Sequence, residues 1–430
     1  MTNTPSSPGH VVVIGAGIVG LATAWTLSRD GWQVTVIDAG QPGDGASGGN
    51  GAQLSYSYVQ PLADPGVWAQ LPKLLLSRDS PLRLRPQVDP AQWSWLLSFM
   101  MACRTSVSRD STRELLALAA LSRGLFEGML QQEQLDCDFS ASGKLVLYPD
   151  AVGLESARRQ VALQAALGGA EQRIVSPAEC VDIEPALAHY AGRIAGGVHT
   201  PSECAVDCGQ LCVALHQRLK ARGVQFLLGQ PVLGWHQEQG RVNAVRLGSG
   251  EVRADAFVLA AGTGSAALAR GLGLRLPVYP LKGYSITVPV DASTSSATPR
   301  VSVTDLARKV VFARLGDRLR VAGMAELVGE DRRVDPARIE SLKATTRDVF
   351  PQLNLSGDLQ PWSGLRPATP RGLPLIGRVD RAPENVWLNT GHGALGLTLA
   401  MGSAERLRTL LRTASTPASR YRPAPAACSA

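Results

Sequence analysis

Residues 11–38 constrain the fold more tightly than any other stretch. Val11-Val-Val-Ile14 is an apolar run of the kind that forms a buried parallel strand, Gly15-Ala-Gly17-Ile-Val-Gly20 follows at once, and Leu21 to Arg29 reads as a helix. In such a unit Gly15 permits the tight turn, Gly17 lets the backbone approach a pyrophosphate, and Gly20 lets helix and strand close on each other. The helix start then offers free N–H groups and a positive dipole end to phosphates. A second strand, Gln33-Val-Thr-Val-Ile37, runs into Asp38. An acid about 20 residues beyond the turn sits where a ribose hydroxyl is held and where a 2′-phosphate would be repelled. This unit alone leaves NAD and FAD both open.

The following segment favours FAD. Gly45-Ala-Ser-Gly-Gly-Asn-Gly-Ala-Gln53 is a run of small residues and amides that can wrap the far half of a bulky cofactor. Gly45-Ala-Ser47-Gly-Gly49 matches a nucleophile elbow by letters only. It lacks the strand-to-helix setting that motif needs, which argues against a hydrolase. Val252 to Ala261 reads as another strand of the cofactor sheet, ending in Ala260-Ala-Gly262. Near the end come Asn385-Val-Trp-Leu-Asn389, the small-residue loop Thr390-Gly-His-Gly-Ala-Leu-Gly-Leu-Thr398, and an apolar helix. A helix start in that place stabilises negative charge at N1 and C2=O of a reduced flavin, a need that NAD enzymes lack.

Length and composition set the remaining bounds. A chain of 430 residues allows two domains, and 45% hydrophobic with 18% charged residues is ordinary globular composition. The formal charge of +7, mostly from Arg, suits anionic substrates or an anionic membrane surface. The basic residues are scattered and not interleaved with aromatics, so nucleic-acid binding is not expected. Met1 to His10 is polar, without the apolar core of an export signal, and the expected location is cytoplasmic. The most lipophilic stretch, Trp93-Ser-Trp-Leu-Leu-Ser-Phe-Met-Met-Ala-Cys103, is shorter than the roughly 20 residues that span a bilayer. It is expected to be core, a partner contact, or an interfacial helix on the inner membrane. Seven cysteines, an odd number, read as reduced thiols. Cys204, Cys208 and Cys212 are spaced for one helical face but have no CxxC or His beside them, so no metal site is expected. The first nine residues and the Pro/Ala/Ser-rich tail beyond about Ala414 read as loose ends.

With these segments in hand the chain resembles the D-amino-acid dehydrogenase small-subunit family, within the wider D-amino-acid oxidase and glycine oxidase fold group. The matching pieces are Val13-Ile-Gly-Ala-Gly-Ile-Val-Gly20, Asn50-Gly-Ala-Gln-Leu-Ser55, Tyr279-Pro-Leu-Lys-Gly-Tyr-Ser285, Gly323-Met-Ala-Glu326, Trp362-Ser-Gly-Leu-Arg-Pro367 and Asn389-Thr-Gly-His-Gly393. They span nearly the whole chain in order. Two places depart: Ser202-Glu-Cys204, where the family often has an Asp-Glu-Thr type triplet, and Leu397, where a bulkier aromatic is common.

The resemblance implies an α/β fold, with a Rossmann-type FAD-binding domain interleaved with a mixed-sheet α+β substrate domain. The expected FAD segments are 1–80, 185–270 and 355–430; the substrate segments are 81–184 and 271–354. It further implies non-covalent FAD, oxidation of D-amino acids to 2-oxo acids and ammonia, and electron delivery to a quinone-type acceptor. Cofactor contacts are expected from Gly15, Ala16, Gly17, Ile18, Val19 and Gly20, then from Asp38, Ala39, Ala46 and Ser47. They continue through Asn50, Gly51, Ala52, Gln53, Leu54, Val232, Ala260, Ala261, Gly262 and Trp362. The last group is Gly391, Gly393, Ala394, Gly396, Leu397 and Thr398.

Taking a hydride from Cα needs an anchored carboxylate, a neutral amine and the Cα–H facing flavin N5, so positioning is the main task of the protein. Arg366 is the expected carboxylate anchor, because a guanidinium grips a carboxylate with two prongs. In related oxidases the arginine of a similar G-x-R-P segment has that role. Tyr284, on the strand Gly283-Tyr-Ser-Ile-Thr-Val288, is a candidate second carboxylate contact and catalytic residue, with core or rim packing as the alternative. Tyr56 and Tyr58 are candidates for the side-chain pocket. Arg314 is a candidate second charge, with a turn role as the stronger alternative. For His392, shaping the loop or stabilising the flavin is favoured over acting as a base. Ser111-Thr-Arg-Glu114 and Ser176-Pro-Ala-Glu179 read as helix-opening capping boxes, and Asp335-Pro336 as the start of a helix to about Phe350. The alternatives left open are an enzyme of cyclic imino acids, a non-catalytic flavin-binding subunit, and an NAD-dependent dehydrogenase.

Overall fold

A computed structural model describes residues 9–66, 82–166, 168–292, 294–355 and 357–414. The expected loose ends, residues 1–8 and 415–430, lie outside the described residues.

The first sheet has six strands in the order β19 (Leu375–Gly377), β20 (Val386–Thr390), β13 (Ala256–Leu259), β1 (His10–Ile14), β2 (Gln33–Ile37), β9 (Gln225–Leu227). All run parallel except β19. Val11 to Ile14, Val34 to Ile37 and Ala256 to Leu259 are buried without alternation, because both faces of this sheet are covered. On one face lie α1 (Ile18–Arg29), α3 (Thr105–Glu133), α6 (Cys208–Ala221) and α9 (Gly396–Ala414), sharing a core with Leu21, Leu118, Phe126, Leu211 and Leu399. On the other lie α7 (Gly264–Arg270) and the three-stranded β10 (Gly234–Glu238), β11 (Arg241–Leu247) and β12 (Gly250–Arg253), around Val245 and Phe257. The chain passes from β1 to β2 and β9 on one side and later returns to β13 on the other side of β1, and such a switch point places a crevice beyond the strand ends.

The second sheet runs β18 (Gln360–Ala368), β14 (Tyr279–Pro289), β17 (Arg318–Leu327), β16 (Val310–Leu315), β15 (Ser302–Asp305), β5 (Lys144–Tyr148), β7 (Gly196–Thr200), β6 (Arg173–Val175), with β4 (Leu82–Leu84) beside β17. It is mixed: β5 and β4 run parallel to their partners β15 and β17, and the other pairings are antiparallel. Alternation along the strands divides its faces. Tyr284, Ile286, Val310, Phe312 and Val321 point into a core shared with α8 (Pro336–Val349) and α5 (Pro177–Ile183). Gly283, Ser285, Thr287, Arg320, Thr304 and Lys144 occupy the opposite face by register. There the chain segment that includes β3 (Gln53–Leu54), paired with β8 (Cys204–Ala205), crosses the sheet. At the margins, α2 (Pro90–Ala102) packs Trp95 and Phe99 on Tyr279 and Leu281, and α4 (Ala151–Ala166) covers Val146 and Val198 through Ala157.

The box at Ser176 and the cap at Asp335 form as read: Ser176 and Glu179 exchange caps, and Asp335 accepts the Ala337 N–H. Ser111 is different. The helix begins six residues earlier, at Thr105, and Ser111 is buried in its interior, while Thr112 bonds back to the Ser108 carbonyl instead of capping. The strand read from Val252 to Ala261 is broken at residues 254 and 255, because β12 belongs to the hairpin sheet and only β13 enters the cofactor sheet. β7 and β18 lie in segments assigned to the FAD domain but complete the second sheet, where their partners are β5 and β14. Conversely α3 lies in a substrate segment but buries Leu115, Leu118 and Phe126 in the core of the first sheet. Cys204 is on β8, so only Cys208 and Cys212 share a helix; among the described residues no cluster suited to a metal occurs.

A Cβ added at Gly20 would overlap the backbone carbonyl of Gly15, which cannot give way. Gly20→Ala is expected to destabilise the protein by about 1–3 kcal/mol and to lower the flavin retained on purification. A wild-type urea midpoint with a full flavin band would contradict this.

Candidate active site

The crevice at the switch point is lined by the glycine turn. Gly15 has φ +120°, open to glycine, and a Cβ there would overlap the Ala260 carbonyl, so β1 and β13 pass at minimum separation. A Cβ on Gly17 would meet Ser47 Oγ at 3.3 Å and nothing else within 4 Å, the open side that backbone–phosphate contact requires. The Ile18 N–H donates to Ser47 Oγ at 3.1 Å, and no acidic side chain occupies the first turn of α1. Asp38 accepts the N–H groups of Ala16 (2.6 Å) and Gly40 (2.8 Å). The carboxylate is therefore fixed beside the turn, with lone pairs left for a ribose hydroxyl. These residues fit FAD: a glycine cradle, a helix start free of negative charge, and an acid at the ribose end. Ala39 and Ala46 flank this region, whereas Val232 packs at the edge of the core under the hairpin sheet.

Beyond Ser47 the chain is tied down residue by residue on the second sheet. Ser285 Oγ donates to the Gly49 carbonyl at 2.7 Å, and the Trp362 ring lies against Gly49 and Gly364 where side chains would otherwise be. Arg320 donates to the Asn50 carbonyl and to Thr287 Oγ1, both at 2.9 Å. The Gln53 amide donates to the carbonyls of Val303 and Phe312, and Thr304 Oγ1 donates to its Oε1. Lys144 donates to Ser55 Oγ at 2.6 Å, and Glu203 accepts the N–H groups of Tyr56 and Ser57, each at 2.7 Å. Burial draws the Lys144 ammonium down to about 8 against the pull of Glu203. For Glu203, burial pushes the carboxyl up while Lys144 and the two N–H groups hold it down. Ser55 N–H reaches Thr398 Oγ1 at the start of α9, which closes the circuit to the loop of Gly391, Gly393, Ala394 and Gly396. Leu397 is buried there in the core of the first sheet.

Sequence reasoning missed Ser285, Arg320, Lys144 and Glu203 as the residues that hold this loop. Glu203 was noticed only as part of a departing triplet. Lys144 and Arg320 carry a signal that was available: each is a cation in a strand whose neighbours are apolar.

Arg366 is on β18, on the loop-bearing face with Trp362 and Gly364, opposite Leu281 of β14. Its guanidinium leans across Gly283 and donates to the Met324 carbonyl at 2.8 Å. Among the described residues no carboxylate pairs with it. Desolvation alone draws it down to about 10. His392 forms a bridge with Ala368, two residues along from Arg366, so the two are neighbours. It is 2% exposed, its Nε2 has no partner, and burial lowers its imidazole to about 3, so it is neutral.

The other candidates are not brought to Arg366. Tyr284 points to the opposite face, because side chains alternate along β14. Its hydroxyl donates to Glu326 at 3.0 Å, and Glu326 pairs with Arg338 at 2.7 Å. Arg314 ends β16 and donates to the carbonyls of Gly316 and Ser295, which is a turn role. Tyr56 is buried in the core of the first sheet, 5.8 Å below the Arg123 guanidinium. Tyr58 packs under Lys144 at 4.6 Å beside β5. β5 is five strands from β18, on the order of 24 Å at the usual strand spacing, so Tyr58 is remote from Arg366.

A family model described as FAD dependent oxidoreductase matches residues 10–410. The chain is 48% identical over 413 residues to D-amino acid dehydrogenase 2 of Ralstonia nicotianae, covering 94% of this chain and 96% of that one. It is 46% identical to D-amino acid dehydrogenase 2 of Pseudomonas aeruginosa, covering 93% and 94%. Among solved structures, glycine oxidase from Geobacillus kaustophilus superposes with a TM-score of 0.75 at 20% identity, covering 94% and 95%. At that identity the likeness shows the shared fold.

His392 gives a pH prediction. Its folded pKa lies below the ordinary 6.5, so the unfolded chain binds a proton that the folded one refuses. The stability it contributes is present above pH 6.5 and is lost as pH falls from there toward 3, by up to about 1.4 kcal/mol per unit. Urea midpoints between pH 7 and 4.5 are expected to fall more steeply for the wild type than for His392→Gln. Equal slopes would mean that His392 is not held neutral.

Proposed function

The chain belongs to the FAD dependent oxidoreductase family, and from that premise we propose that it oxidises D-amino acids to 2-oxo acids and ammonia, passing electrons to a quinone-type acceptor. The observation that carries this reading is Arg366: a half-buried guanidinium on the face next to the cofactor loop, with one backbone hydrogen bond and no carboxylate partner among the described residues. Most of its N–H groups are left without a protein acceptor, and a ligand carboxylate gripped by them supplies what is lacking.

When bound, FAD supplies the two-electron redox chemistry. Gly15, Gly17, the start of α1 and Asp38 would hold its dinucleotide part, and the chain from Ser47 to Ser55 would enclose the rest. Arg366 binds the substrate carboxylate and thereby fixes the orientation of Cα. His392 places an uncharged, unpartnered Nε2 near that anchor, able to share a hydrogen bond without adding charge. Tyr284, on the far face, buttresses the sheet through Glu326 and Arg338 and is not proposed to touch substrate. The cyclic imino acid reading shares the same anchor; relatives named D-amino acid dehydrogenase support the D-amino-acid reading.

Attachment to the inner membrane surface, where a quinone resides, is supported by α2. Trp93, Leu97 and Met101 recur every four residues on one exposed face, 51%, 64% and 48% accessible, although large apolar side chains at that spacing are normally covered. Among the described residues no helix is long and apolar enough to cross a membrane.

A visible spectrum under argon is expected to show a flavin band that D-amino acids bleach and L-amino acids do not; a band that no amino acid bleaches would sink the reading. Arg366→Met is expected to raise KM for D-amino acids by about 100-fold or more, the scale of losing a desolvated charge pair. Flotation with vesicles of anionic lipid is expected to carry the wild type upward and to leave Leu97→Glu behind. Equal flotation of the two would argue against the α2 face.

A further inference from the structure

The way Arg366 is seated departs from regular sheet geometry. In β14, Lys282 pairs with Glu326 and Tyr284 with Gly323, so the single residue Gly283 opposes both Met324 and Ala325. This is a β-bulge, in which the extra residue re-aims the backbone locally. Met324 adopts φ +65°, a left-handed conformation costly for a side-chain-bearing residue and commonly filled by glycine at such bulges. Its side chain packs in the core shared with α8, while its carbonyl accepts from Arg366 Nη1. Gly283 itself has ordinary extended backbone, so glycine is not required there for conformation. What it supplies is space, since a Cβ would overlap Cζ and Nη2 of Arg366.

We propose that Gly283 and the left-handed Met324 together form a seat that sets the direction of the Arg366 guanidinium and so positions the substrate carboxylate. The inference rests on Arg366 being the carboxylate anchor. Both residues act through Arg366 and are positioning residues. One takes away the side chain beneath the guanidinium, and the other turns a carbonyl onto one of its donors. A single bond at Nη1 fixes the plane of the fork while the other N–H groups stay available for the ligand. The bulge thus orients the arginine without a carboxylate, which would compete with the substrate for it.

The test uses the FAD-loaded enzyme and measures KM, kcat and, with the reaction left aside, the Kd of propionate from its perturbation of the flavin spectrum. In Gly283→Ala the added methyl meets the end of a flexible side chain, so Arg366 is displaced and the strand is kept. KM and the propionate Kd are expected to rise together by about 10-fold or more, with kcat within about 3-fold, because an anchor shifted by an ångström loses binding to ground and transition state alike. Met324→Val, whose branched side chain disfavours positive φ, is expected to raise both constants about 5-fold more than Met324→Gly, which keeps that backbone open. This comparison separates the carbonyl from the packing of the side chain. Arg366→Lys serves as the control. If it weakens propionate while Gly283→Ala and Met324→Val do not, the seat is overturned and the anchor stands. If Arg366→Lys binds propionate as the wild type does, the anchor reading itself has failed, and the seat with it.

Discussion

The architecture depends on a stretch of irregular backbone, residues 49–57, laid across the face of a large sheet and held there by side chains. Buried carbonyls and N–H groups without partners cost several kcal/mol each relative to water, and a strand-like partner is available to only two residues of this stretch. The sheet answers at several points: Ser285 and Arg320 donate to the backbone carbonyls of Gly49 and Asn50, Thr304 and Lys144 hold the side chains of Gln53 and Ser55, and Glu203 accepts the N–H groups of Tyr56 and Ser57 at the far end. Ser285, Arg320, Thr304, Lys144 and Glu203 are each buried, so each is itself a liability unless the loop is in place. Loop and sheet face therefore satisfy one another, and that mutual need joins the two layers of the molecule beside the apolar contact of Ala52 with Ala313 and Leu315.

The same logic explains why charge is so unevenly treated within one sheet. Arg320 is flanked by Asp207, which also caps α6 and pairs with Arg318. Lys282 reaches Asp331 and the Arg333 carbonyl, and Arg338 pairs with Glu326. Against that background Arg366, which has a single carbonyl and no carboxylate among the described residues, is the cation we propose receives an anion.

Much of this was legible in the sequence, and for definite reasons. The turn at Gly15, Gly17 and Gly20, the acid at Asp38, and the caps at Ser176 and Asp335 are local: neighbouring residues determine the geometry. Arg366 was found through a short segment resembling known relatives. What escaped was non-local. For Tyr284 both a substrate contact and core packing stayed open because the strand was recognisable but its parity was not, and one residue of register exchanges the two faces. The bulge at Met324 shifts the register of β17 against β14, and no turn residue announces it. Ser111 looked like a cap because the letters of a capping box also occur inside helices, where Ser is buried and Thr bonds backward. Domain segments were blurred for a related reason: α3 crosses to the cofactor layer, and β7 and β18 cross away from it.

The six-stranded sheet draws β1 from one end of the chain and β20 from the other, with Thr23 of α1 accepting from Asn389 across 366 residues of sequence. During synthesis, β1 and α1 emerge early with their apolar faces uncovered, and β20 and α9, which complete their burial, follow more than 350 residues later. The nucleotide crevice is therefore a late product of folding, since separations this large make closure slow and leave unpaired strand edges exposed meanwhile. A nascent chain of this kind has reason to engage chaperones until α9 is made, and loss of that one helix would leave the cofactor site unfinished.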